Sequence, residues 1–266
     1  MLAQYLPEGP YRFSMAFGRG EFSAFYGQTT ENAPILRERR RWLEDDPNKY
    51  LAVLPDAKEL LRETIALALE HKTVHPSISI PTAADEGARF LGENWEPDFL
   101  LLKRDDELRL LCGCVCFPSS WALEEKIGLP ITRIHEVVPA LNANVGRQIQ
   151  TFLEKVKPGI FWLRSNWGLS RTPERNQHPS RNVPRLDASV RLEEVYFRVE
   201  EQSLVALPKS NGVLFGIRLK MIPLDGYGGT EDGMRLAQAL ETMPEPMAVY
   251  KGIAHARHRL VQLLRG

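Results

Sequence analysis

An excess of charge of either sign is the first thing this chain lacks. Its 34 lysines and arginines balance 34 aspartates and glutamates over 266 residues, so no general attraction to nucleic acid or to an anionic membrane is expected. Long apolar runs are missing too. Nothing approaches the roughly 20 residues that cross a bilayer, and residues 1–17 hold no charged segment followed by an apolar core. A cytoplasmic protein without membrane or nucleic-acid partners is the expectation. Cysteine is scarce: the three present, Cys112, Cys114 and Cys116, share one apolar run, unlike the dispersed set of a disulfide framework. Alternate residues of a strand lie roughly 6.5 Å apart, whereas two thiolates on one zinc, with bonds of about 2.3 Å, lie within roughly 4 Å of each other. The spacing reads as small buried core residues and not as a metal site.

What is present is enough apolar material for a real core, 43% of the chain, at a length that suits one large domain with helical additions. Residues 1–55 are rich in turns and charge, and the basic run 37–41 reads as a solvated face. Asp56 and Glu59 have the spacing of a capping box ahead of Leu61, Ile65 and Ala68, which predicts a helix over 57–71. Residues 76–95 read as irregular, with a helical turn or two over 83–90. The period then changes. Apolar runs at 99–102 and 108–117, separated by the polar residues 103–107, predict a hairpin.

The stretch 116–139 comes next, with a short predicted helix stopped by Gly128 and Pro130 before a lone histidine, His135, among apolar neighbours. A longer helix follows, with Leu141, Val145, Ile149, Phe152 and Val156 on one stripe. Three alternating segments then read as strands, over 160–169, 195–204 and 213–222. The first sets Phe161, Leu163 and Trp167 against Trp162, Arg164 and Asn166; the second sets Phe197 and Val199 against Arg198, Glu200 and Gln202. Residues 170–189 read as a long surface insertion. The tail holds two helical patterns, one with Leu236 and Leu240, the other with Leu260 and Leu264. The glycines at 226, 228 and 229 precede Glu231 and Asp232, whose charge opposes a phosphate there.

Two strands, a helical block and three strands give an α+β class of PAS-like order: an antiparallel sheet with the block on one face and a ligand cavity between them. The expected division is a helical and irregular extension over 1–92, a PAS-like core over 93–225, and a helical segment over 226–266 packed on the core.

At Phe117-Pro118-Ser119-Ser120-Trp121, Lys126-Ile127-Gly128, Ile134-His135, Val138-Pro139, Arg164-x-Asn166-Trp167 and Arg198-Val199-Glu200-x-Gln202-x-Leu204, the chain resembles the haem-dependent oxidative N-demethylase alpha-subunit family. The resemblance covers about 93–224. It implies an enzyme: a haem b protein whose iron is ligated by histidine and which demethylates a small secondary amine, such as dimethylamine, with O₂ and releases formaldehyde. It further implies electrons from NADPH through partner flavin and iron–sulfur subunits. Carried onto this sequence, His135 becomes the iron ligand. A lone histidine among apolar residues is more often a hydrogen-bonded core residue, and the motif moves the reading to ligation. A second-shell acceptor, either Glu136 or a backbone carbonyl, would fix its ring.

Arg198 and Glu200 become catalytic candidates, and Lys126, Arg164 and Asn166 cofactor-binding ones. The bland reading of these strand residues is a solvated face with cross-strand ion pairs. Two departures from the family pattern stand out: Val137 where a proline is expected, and Glu201 where a basic residue is expected. Glu201 is expected to add negative charge near the pocket. The alternatives to the enzyme are a haem-binding PAS-like sensor and a non-catalytic ligand-binding subunit.

Overall fold

Alternation of side chains along three long strands sets the architecture, and the remaining elements are arranged on the two faces that it creates. The computed structural model describes residues 2–12, 16–30, 32–75, 83–139 and 156–266. The predicted helix over 141–156 lies almost wholly outside the described residues. The strands are β1 (Gly18–Arg19), β2 (Leu51–Val53), β3 (Asp98–Arg104), β4 (Leu108–Cys114), β5 (Phe161–Ser170), β6 (Tyr196–Leu207) and β7 (Gly212–Pro223). They form one sheet in the order β1-β5-β6-β7-β3-β4-β2, antiparallel at every pairing. The five expected strands are present. The two edge strands were not expected, because two or three residues are too few for an alternating pattern to show.

Register puts Arg164, Asn166, Glu200 and Gln202 on one face, since Gln202 pairs with Arg164 and Glu200 with Asn166. We call this the front face. The back is largely apolar and doubly covered. Over one half lie α1 (Phe22–Tyr26), α2 (Ala33–Asp45), α4 (Lys58–Glu70) and α5 (Ala84–Asn94), which bury Tyr26, Leu43, Leu60 and Leu91 against Phe99, Leu101, Phe161 and Val205. The short α3 (Pro47–Tyr50) leads from α2 into β2. Over the other half lie α7 (Glu231–Thr242), α8 (Glu245–Tyr250) and α9 (Arg257–Arg265), packed on Trp167, Phe197 and Val199. α6 (Ile131–Ile134) belongs to the front.

Several local expectations are corrected. The capping box does not form: Asp56 lies in a 3-10 turn over Pro55–Ala57, α4 starts without a side-chain cap, and Glu59 pairs with Arg62 at 2.7 Å. α4 forms because Leu60, Leu61, Thr64, Ile65 and Ala68 make one buried stripe, and tertiary burial outweighs a missing cap. α5 is 11 residues long, not a turn or two. Its Gly87 and Gly92 weaken the sequence signal, yet a Cβ at Gly92 would stand 2.4 Å from Cys114 Sγ, so this close helix–sheet approach requires glycine. The run 37–41 is not wholly solvated: Arg39 is 0% exposed and meets Asp98 at 2.5 Å. All three cysteines are buried. Among the described residues, no helix is long and apolar enough to cross a membrane.

A cavity on the front face and its polar end

The front face and the 116–139 stretch enclose a cavity of about 730 Å³, within the roughly 300–1,000 Å³ range of small-molecule and cofactor sites. Its floor is apolar, built from Leu100, Leu102, Leu110, Leu204, Phe215 and Ile217. Its polar end comes from β5 and β6. There, Arg164, Asn166, Arg198 and Glu200 all line the cavity, as do Lys126 and His135 from the opposite wall. The solvated-face reading of the strand residues is thereby set aside, since the cavity takes that face.

The stretch is held from both ends. Asp98 accepts from the backbone N–H groups of Cys116 (2.8 Å) and Phe117 (3.1 Å). Farther on, Gly128 N–H donates to Leu110 O at 2.8 Å, and Leu110 N–H to Leu129 O at 3.1 Å, so the chain returns to β4. Residues 124–128 form turns where a short helix was expected, and Gly128 adopts φ +80°, which only glycine takes freely. α6 follows Pro130 and runs into a 3-10 turn over His135–Val137. Ile134 and Val138 pack into the apolar cluster of this face, which presents His135 to the cavity.

Burial and the nearby Arg164 charge push the His135 imidazole down to about 4. It is neutral at neutral pH, the form that ligates metals. Its ring makes no hydrogen bond to another described residue. Glu136 does not fix it, because that carboxylate is exposed and pairs with Arg133 at 2.8 Å.

At the polar end, Arg198 is 3% exposed. Its Nε donates to Ser119 Oγ and its Nη2 to Phe117 O, each at 2.9 Å. Burial lowers its guanidinium to about 10, against the pull of Glu200 and Asp98. Glu200 accepts from Ser119 Oγ through one oxygen; the other accepts from Gln202 Nε2 at 3.0 Å and Asn166 Nδ2 at 3.5 Å. Arg164 stacks near Phe17, 5.8 Å from its ring centre, and burial lowers it while Glu200 raises it. Lys126 lines the opposite wall, half-buried.

Two contributions escaped the sequence. Lys251, at the C-terminus of α8, reaches over β5 to donate to Asn166 Oδ1 (3.2 Å) and Trp167 O. Burial pulls its ammonium down to about 8, with Glu200 raising it and Arg164 lowering it. The second is the 170–189 segment, which is no surface insertion. Asn176, Gln177 and His178 are buried, and the segment is tied to the 116–139 stretch at three points. Gln177 N–H donates to Pro118 O at 3.1 Å, His178 Nε2 meets Glu124 Oε1 at 3.0 Å, and Arg185 donates to Ser120 Oγ at 2.7 Å. Since Ser180 N–H donates to His178 Nδ1, the ring proton sits on Nε2 and is given to Glu124. The departure at Glu201 is also corrected: that carboxylate lies on the back face, paired with Lys220 and 4.0 Å from Arg218.

Comparison with known families extends the resemblance beyond 93–224. The model described as haem-dependent oxidative N-demethylase, alpha subunit-like, matches residues 72–261, taking in α5, the strands β3 to β7, the 116–139 stretch and α8, which delivers Lys251. The chain belongs to the haem-dependent oxidative N-demethylase, alpha subunit-like family.

Proposed function

We propose that this chain is the haem-bearing subunit of an oxidative N-demethylase that acts on a small secondary amine. A PAS-like core is supported by the sheet order β5-β6-β7-β3-β4 and by the position of the 116–139 stretch between the second and third of these strands in sequence. One observation carries the haem: an apolar floor, a neutral histidine in the wall, and cations gathered at one end of the same cavity. Haem b divides in the same way, into an apolar macrocycle that takes an axial imidazole and two anionic propionates. The residues present fit the group.

In this reading His135 ligates the iron, while Arg164, Asn166 and Lys126 hold the propionates. Bound and reduced haem supplies the activation of O₂. The chain's own residues do the rest. Glu200, fixed by Ser119, Gln202 and Asn166, accepts a hydrogen bond from the substrate ammonium and passes protons from the same carboxylate. Arg198 holds Ser119, and through it the orientation of Glu200. The apolar floor and the 170–189 segment exclude water. In balance, the N-methyl amine, O₂, two electrons and two protons give the demethylated amine, formaldehyde and water, with one oxygen atom in each of the last two. Electrons come from NADPH through partner flavin and iron–sulfur subunits, and the setting is cytoplasmic.

The test supplies haem-loaded protein with a reductant, O₂ and a panel of N-methyl amines that includes dimethylamine. Formaldehyde and demethylated amine should appear in equal amounts. Glu200→Gln should slow turnover by roughly 10²–10⁴-fold at unchanged haem content. Reductant-dependent O₂ uptake with no formaldehyde from any of the panel contradicts the reading.

A further inference from the structure

Cations outnumber carboxylates in the described wall of the cavity. Among the described residues that line it, six are lysines or arginines and two, Glu125 and Glu200, are carboxylates. Arg171 is neutralised from outside by Asp187, at 2.6 Å. The remaining five include Lys251, whose ammonium stands near Glu200 and Arg164. A dialkylammonium ion would add a positive charge beside that ammonium, whereas a zwitterion would add none. In a low-dielectric cleft that difference decides which ligand is drawn in.

The hydrogen bonds point to where an anion would sit. Lys251 spends two donors on neutral acceptors, Asn166 Oδ1 and Trp167 O. An ammonium has three donors, so one remains for a ligand. Among the described residues, no ion pair is made by Lys251. Asn166 stands between opposite charges: its carbonyl oxygen accepts a hydrogen bond from Lys251 and its amide lies 3.5 Å from Glu200 Oε2. A cation and a carboxylate bridged by one amide side chain match the two ends of an α-amino acid.

We propose that Lys251 is the carboxylate-recognition residue of this cavity, and that the carboxylate is borne by the substrate, an N-methyl α-amino acid whose methylammonium meets Glu200. The inference rests on the amine-demethylating reading and names its substrate class. A carboxylate can also come from a haem propionate, so the experiment separates the two sources.

The probe is N-methylglycine, titrated calorimetrically and by visible spectroscopy into protein supplied with haem, with dimethylamine in parallel. Wild type is compared with Lys251→Met and Lys251→Arg, and far-UV circular dichroism checks that each variant is folded. N-methylglycine should bind at least about tenfold more tightly than dimethylamine. Lys251→Met should lose about ten- to a hundredfold in affinity for it, with haem content unchanged and dimethylamine bound no more weakly than by wild type, and Lys251→Arg should restore part of the loss. Equal affinity for the two amines, or an affinity for N-methylglycine indifferent to Lys251, overturns the proposal. So does loss of haem retention in Lys251→Met, which would assign the residue to a propionate. If wild type takes up no haem yet binds N-methylglycine through Lys251, the carboxylate site stands and the demethylase reading falls.

Discussion

Two buried arginines, Arg39 and Arg198, satisfy their charge in opposite ways. Arg39, 0% exposed, ends on a carboxylate, Asp98 at 2.5 Å, and on the carbonyls of Gly92 (2.8 Å) and Glu96 (3.3 Å). Arg198, 3% exposed, ends on neutral acceptors, Ser119 Oγ and Phe117 O. The first arrangement is closed, with cation and anion meeting inside the protein. The second leaves charge available to whatever enters the cavity. One residue joins them, because the Phe117 N–H donates to Asp98 and its carbonyl accepts from Arg198. The closed pair thus anchors the chain from which the open one works. The contrast teaches that depth alone does not mark a functional charge; the sign and origin of its partner do.

The comparison breaks most visibly at Asp98. Asp98→Leu strands Arg39 in the core and should cost about 3–5 kcal/mol, read from urea unfolding, while Arg39→Met combined with Asp98→Leu should lie closer to wild type. A single variant as stable as wild type would mean that the closed pair is not what anchors the stretch.

The open end gives a smaller, pH-dependent signal. Lys251 titrates at about 8 in the folded protein against 10.5 unfolded, so between these values the unfolded chain binds more protons and stability rises with pH. The rise, at most about 3 kcal/mol, should vanish in Lys251→Met and shrink with a carboxylate ligand bound. A flat profile in wild type would place that ammonium in water. The smallest effect is expected across the sheet. Glu201→Gln removes a partly exposed pair with Lys220 and should change stability by less than about 1 kcal/mol. It should leave any haem spectrum untouched, and a spectral change would show that the back face senses the cavity.

Much of this was legible because long strands advertise their faces. Alternation set Arg164 with Asn166 on one side of β5, and Arg198 with Glu200 and Gln202 on one side of β6; the register of the pair then joins the two sets. Which side faced the cavity was not legible, since polar residues on a strand usually mark solvent. Arg39 was hidden by its basic neighbours, although Leu36, Arg39 and Leu43 share one buried helical stripe that a period count would have shown. The 170–189 segment was missed because Asn176, Gln177 and His178 are buried by hydrogen bonds and not by hydrophobicity. Ser119 and Gln202 stood inside the quoted motifs as polar residues without an assigned task. Lys251 had no local signal beyond a lysine before Gly252, whose φ of +65° ends α8.

The account turns on His135 as the one neutral imidazole in the cavity wall. The direct measurement is the visible absorption spectrum of protein purified with haem supplied, wild type beside His135→Ala. The account predicts a Soret band in wild type that is lost or displaced in the variant, with haem affinity falling by more than the roughly 10–100-fold that outer-shell partners cost. Folded wild type that takes up no haem, or a variant with an identical spectrum, would contradict it.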